Sequence, residues 1–141
     1  MQKYVNRLLT EWKQHGKIII SLDFDDTIYC WNENLNNGDD VQRTINLVKQ
    51  AHSTGAYIVI FTASNIERYP EIQKHCKELQ IPVDAINANP ITLPYGKNGK
   101  IYYNINLCDR SGLVQALDIL ETAMYQYRAW KETQKNIADV A

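Results

Sequence analysis

The sequence predicts an α/β fold: a doubly wound, Rossmann-like parallel sheet with helices on both faces and no large cap domain. Three observations predict it. The apolar, β-branched runs 18–22 and 56–61 have the length and composition of buried parallel strands. Segments of about 10 to 15 residues with helical apolar spacing alternate with such runs, as right-handed βαβ crossovers require. The strand-like runs end in polar residues, at Asp23, Thr62 and Asp109, and open α/β sheets bind ligands at those ends.

In order along the chain, Val5, Leu8, Leu9 and Trp12 form the stripe of a leading helix over 1–15, closed by Gly16. The first strand runs to Asp23. Residues 29–40 are polar, rich in Asn and aperiodic, which predicts a loop or short flap. Asp39 or Asp40 is the expected N-cap of a helix striped by Val41, Ile45, Val48 and Ala51 and stopped at Gly55. After the second strand, Pro70 suits the first turn of a helix carrying Ile72, Cys76 and Leu79. A short third strand is expected over 83–87, an irregular loop over 88–100 and a fourth strand over 101–108. The last helix shows Leu113, Ala116, Leu117, Leu120, Met124 and Tyr127 on one face.

At 141 residues the chain fits one domain, 1–141. Its 45% hydrophobic and 22% charged content is that of a packed globule and excludes disorder. Fifteen basic residues against 16 acidic ones leave a formal charge of -1, so no overall basic field holds nucleic acid, although a local patch remains open. Cys30, Cys76 and Cys108 are odd in number and far apart, as expected of reduced thiols in the cytoplasm. The charged N-terminus lacks a signal-peptide core, and no apolar run reaches the roughly 20 residues of a membrane span. His15, His52 and His75 have no partner at metal spacing and are expected at the surface or at helix ends; Trp12, Trp130 and most tyrosines are expected at core edges or interfaces.

The chemistry concentrates in Asp23-Phe24-Asp25-Asp26-Thr27, directly after the first strand. Three carboxylates within four positions repel one another and call for a cation or a proton, unless the segment is simply a solvated acidic turn. Magnesium is the natural cation, because it takes hard oxygen ligands. Thr62, followed by Ala63 and Ser64, offers a hydroxyl and backbone N–H groups to a phosphate oxygen; the plainer alternative is a helix cap. Lys97 or Lys100 can neutralise an anionic nucleophile together with a phosphoryl group, although most lysines are solvated surface charges. Asp109 can complete the cation site or merely lead a helix.

The order of these features resembles the four motifs of the haloacid dehalogenase (HAD) superfamily over about residues 17 to 120: Asp-x-Asp-x-Thr after strand one, Thr after strand two, Lys before strand four and Asp after it. The resemblance implies a magnesium-dependent phosphatase. Asp23 would be nucleophile and metal ligand, and Asp25 general acid and base, lending its backbone carbonyl to the metal as well. Asp109 would be a further ligand, Thr62 with Ala63 would bind the phosphoryl group, and Lys100, with Lys97 as substitute, would steady it. The fourth motif departs from the family pattern: Cys108 stands where the first of two adjacent acids belongs, and a thiol is a poor ligand for a hard cation.

The short gap at 29–40 fits a flap, not a cap domain, so an open site is expected, with Tyr29 and Trp31 either overhanging it or pinning the flap to the body. The implied partner is a phosphorylated small molecule, a nucleotide first and a nucleic-acid end second, with no membrane partner. A dimer through the terminal helices has no residue-level argument. The competing readings are a phosphoacceptor receiver domain and a HAD-like protein that binds without turnover.

Overall fold

The computed structural model describes residues 1–89 and 101–140. Four strands, β1 (Ile19–Asp23), β2 (Tyr57–Phe61), β3 (Ala85–Ile86) and β4 (Ile105–Leu107), form one all-parallel sheet in the order β3-β2-β1-β4. Among the described residues four α-helices accompany it: α1 (Gln2–His15), α2 (Gly38–Ser53), α3 (Tyr69–Glu78) and α4 (Leu113–Val140). The chain is thus a small parallel α/β protein with helices packed on the sheet, and the described residues form no second domain.

Strand alternation sorts the core. Ile18, Ile20, Leu22, Ile58, Ile60, Ile105 and Leu107 share one large cluster with the buried faces of all four helices. On the opposite face Ile19 and Val59 are covered by Tyr57, Phe61, Ala85, Ile101 and Tyr102, with no helical residue among them. The expected helical cover on both faces is therefore found on one face among the described residues. On the second face the described residues just before β4, Ile101 and Tyr102, lie against the sheet.

The outer strands are shorter than the apolar runs that predict them, because side chains take over the ladder. Asn104 Oδ1 accepts the N–H of Ile19 at 2.7 Å while the Asn104 N–H donates to Ile19 O at 2.8 Å. Asp84 treats Ile58 in the same way, at 2.7 and 2.8 Å. A side-chain oxygen in place of a backbone carbonyl satisfies the neighbouring strand but does not extend the pairing.

Gly16 caps α1 in the left-handed conformation, φ 71°, as its position predicts. Helix α2 starts earlier than expected, with Asn37 rather than Asp39 or Asp40 as N-cap; the two acids occupy the first turn, where they complement the helix dipole. Trp12 and Tyr127 are core residues rather than core-edge ones: both are buried, their rings stack 4.9 Å apart, and Trp12 Nε1 donates to Thr54 O at 3.3 Å. Leu79 ends α3 as its C-cap and is exposed. Cys30, Cys76 and Cys108 are unpaired, and burial pushes the Cys76 thiol up to about 11. No helix among the described residues is long and apolar enough to cross a membrane.

Candidate active site at the strand ends

Parallel register brings the predicted residues to one edge. Asp23 pairs with Phe61 and Leu22 with Leu107, so Asp23, Thr62 and Cys108-Asp109 leave the sheet at the same level. Immediately after β1, the carbonyl of Phe24 accepts the N–H groups of Ile28 and Tyr29, both at 3.1 Å. This tight turn swings Thr27 back over the strand end, where it is fully buried. Its hydroxyl lies 3.2 Å from Asp23 Oδ2 and 3.4 Å from Asp109 Oδ1 and accepts the Asp109 N–H at 3.0 Å. A threonine four residues after the first carboxylate thus ties together two acids 86 positions apart in sequence.

The carboxylates of Asp23 and Asp109 stand side by side, with an oxygen of each within 4.8 Å of the other. Burial pushes the Asp23 carboxyl up to about 6, helped by its hydrogen bond to Asp109 and by the repulsion of that second carboxylate. The Cys108 thiol completes the group, its Sγ 3.8 Å from Asp23 Oδ2 and 3.9 Å from Asp109 Oδ1. Asp23, Cys108 and Asp109 each offer a donor atom within 4.8 Å of one another. Two hard oxygens fit a divalent cation, whereas the sulfur does not suit magnesium.

Asp25 takes a different course. The resemblance gives it a metal role through its backbone carbonyl, but its carboxylate turns away from the Asp23 group and pairs with Arg68 in a two-pronged bond, Nη1 to Oδ2 at 2.7 Å and Nη2 to Oδ1 at 2.8 Å. Arg68 Nη1 also donates to Ser64 Oγ at 2.8 Å, and its guanidinium lies 5.3 Å from the ring centre of Phe24 and 5.1 Å from that of Trp31. Hydrogen bonding to Asp25 raises the Arg68 pKa. Nothing in the sequence singles out Arg68, which lies 43 residues from Asp25.

Asp26, the third acid of the cluster, is structural. It adopts φ 63°, and its Oδ1 accepts the N–H groups of Trp31 and Asn32 at 3.0 and 2.8 Å, while Asn37 Nδ2 donates to its carbonyl at 2.8 Å. The flap is pinned from below as well. Tyr29 stacks on Phe24 at 5.4 Å, and the His75 ring meets both edge-on while its Nε2 lies 3.1 Å from Ile28 O. His75 is therefore part of the flap's foundation and not a plain helix-end residue. Tyr29 pins; Trp31, 64% exposed, is left to face solvent over Arg68.

The Thr62 loop is less open than the sequence suggests. Asn87 Oδ1 takes the Thr62 N–H at 3.0 Å, Asn87 Nδ2 donates to Thr62 O at 2.7 Å, and the Ser64 N–H donates to Thr62 Oγ1 at 3.0 Å. Among the described residues that leaves the exposed Ala63 N–H and the Thr62 hydroxyl proton for an anion. Lys97 and Lys100 lie outside the described residues.

Fold and site together define a parallel α/β protein with a carboxylate pair, bridged by a threonine, at the ends of two adjacent strands. No family model matches the chain, and neither a curated protein nor a solved structure matches it.

Proposed function

We propose that this protein is a phosphomonoester hydrolase of HAD-like type, dependent on a divalent cation such as Mg2+, with Asp23 as nucleophile. The observation that carries the reading is the convergence of Asp23 and Asp109 on Thr27, with the Asp23 carboxyl raised to about 6 by burial and by its neighbour. Such a pair needs a proton or a cation to balance its charge, and a cation would keep Asp23 ionised as a nucleophile demands.

A divalent ion held by Asp23 and Asp109 would supply charge neutralisation for the phosphoryl group. The chain's own residues do the rest. Asp23 attacks phosphorus and forms an aspartyl-phosphate as the ester P–O bond breaks. Asp25 gives its proton to the departing oxygen, then takes one from the water that hydrolyses the intermediate. The Thr62 hydroxyl and the Ala63 N–H orient the phosphoryl oxygens. Lys100 or Lys97 would supply the balancing positive charge.

The open site and the exposed Trp31 suit a phosphorylated small molecule with a ring, a nucleotide first, and leave room for a polynucleotide end. Unpaired thiols suit a reducing cytoplasm. A second reading, a HAD-like protein that binds without turnover, is favoured by Cys108 in the cation group and by the engagement of Asp25 with Arg68.

One experiment decides between them: phosphate release from nucleoside monophosphates, 3′-phosphorylated oligonucleotides and sugar phosphates, with magnesium or with chelator. Turnover that requires the metal and disappears in Asp23→Asn supports the hydrolase. Saturable ligand binding without release from any member of the panel supports the binding protein.

A further inference from the structure

We propose that Arg68 is a phosphoryl-binding residue that alternates between Asp25 and the substrate, so that the incoming phosphate itself releases the general acid. The inference rests on the phosphohydrolase reading for Asp25's role but stands on its own geometry. In the observed arrangement Asp25 has both carboxylate oxygens bonded to the guanidinium, at 2.7 and 2.8 Å. A carboxyl that is to serve a leaving oxygen must turn one of its oxygens toward the ester, and the fork-on-fork pair holds both of them toward Arg68. Proton transfer therefore requires the pair to open.

The only competitor that suits the same fork is another planar or tetrahedral oxyanion, and phosphate accepts the same two parallel N–H bonds while carrying more charge than one carboxylate. Arg68 is in place to meet it. Its Nη1 already holds Ser64 Oγ, two residues beyond Thr62, and an open cavity of about 630 Å³ lies there, lined by Asp25, Trp31, Ser64 and Arg68 and also by the acids Glu67 and Glu71. The guanidinium is guided as it moves, because the rings of Phe24 and Trp31 flank it at 5.3 and 5.1 Å and retain their attraction for the cation whichever oxyanion it grips. Of the two other acids in that lining, Glu71 is loosely held at 3.9 Å, and both it and Glu67 are exposed, so neither fixes the side chain. Arg68 would thus bind substrate and, by leaving Asp25, free the acid and base only when a phosphoryl group is present.

The test is a double-mutant cycle on the binding of inorganic phosphate, followed by tryptophan emission, since Trp31 covers Arg68 whereas Trp12 and Trp130 both pack against Tyr127. Arg68→Gln should weaken phosphate binding by about tenfold or more, with Arg68→Lys in between because an ammonium has no fork. Asp25→Asn removes the competing carboxylate and should tighten phosphate binding by about tenfold when Arg68 is present, and far less in the Arg68→Gln background. Circular dichroism and thermal unfolding confirm that each variant folds. An equal gain in both backgrounds would mean plain charge repulsion by Asp25 and would overturn the proposal. So would unchanged phosphate affinity in Arg68→Gln, or no phosphate binding by the natural protein. If the cycle behaves as expected but no ester is turned over, the hydrolase reading fails and Arg68 stands as an anion-binding residue.

Discussion

The Thr27 hydroxyl stands between the carboxylates of Asp23 and Asp109, 3.2 Å from one and 3.4 Å from the other, while accepting the Asp109 N–H. It holds the first and last strand ends together at the point where the proposed chemistry occurs. Replacing it with the isosteric Thr27→Val leaves the part-buried Asp109 N–H without this acceptor, at a cost of about 1 kcal/mol. Thr27→Ser keeps the hydroxyl and should lose much less. Urea denaturation of the two variants checks the difference, and equal stability would show that the bridge contributes nothing.

The raised Asp23 carboxyl gives the protein a distinctive pH response. Its folded value of about 6 lies above the ordinary 3.8, so the folded state keeps a proton that the unfolded chain releases between those values. The resulting stabilisation is complete below the unfolded value and is lost as pH rises through about 6. In chelator, the melting temperature should therefore fall between about pH 4 and about pH 7, and Asp23→Asn should flatten the fall. Magnesium added at neutral pH should recover stability in the natural protein alone, by binding only the folded state.

Cys108 supplies the sulfur where two hard oxygens already converge. Cys108→Asp should raise magnesium affinity by about tenfold or more, read by isothermal titration calorimetry. The same change puts a third carboxylate beside two others and should lower stability in chelator. Unaltered magnesium affinity would place position 108 outside the cation site.

Far from the site, Gly55 allows the end of α2 to pass against the end of α1. It has φ 102°, and a Cβ there would lie 2.8 Å from the carbonyl oxygen of Gly16. Gly55→Ala meets both backbone strain and a rigid backbone contact, so a loss of about 1–3 kcal/mol is expected in chemical denaturation. Gly38→Ala, with open space around it, serves as the mild comparison.

How much of this was legible in the sequence follows from the range of each interaction. The apolar periodicity of α1, α2 and α4 and the β-branched runs of β1 and β2 are local patterns, and the elements lie where those patterns predict them. The extent of β3 and β4 was not legible, because Asp84 and Asn104 end the pairing by side-chain bonds to partners 26 and 85 residues away. Asp23 and Asp109 could be marked as strand-end acids. That Asp26 serves the flap, that Asn87 occupies the Thr62 loop and that His75 supports Tyr29 depend on contacts between separate elements.

The sequence by itself determined the parallel α/β class and which residues reach the strand ends, since both follow from side-chain period and from the ordering of apolar runs along the chain. Only the tertiary structure decided which of those residues touch. A carboxylate's partner is set by distances of about 3 Å. The meeting of Asp23 with Asp109 follows from the order of the strand-end motifs, whereas the pairing of Asp25 with Arg68 leaves no trace in local spacing, because it joins segments that meet only when the sheet is assembled.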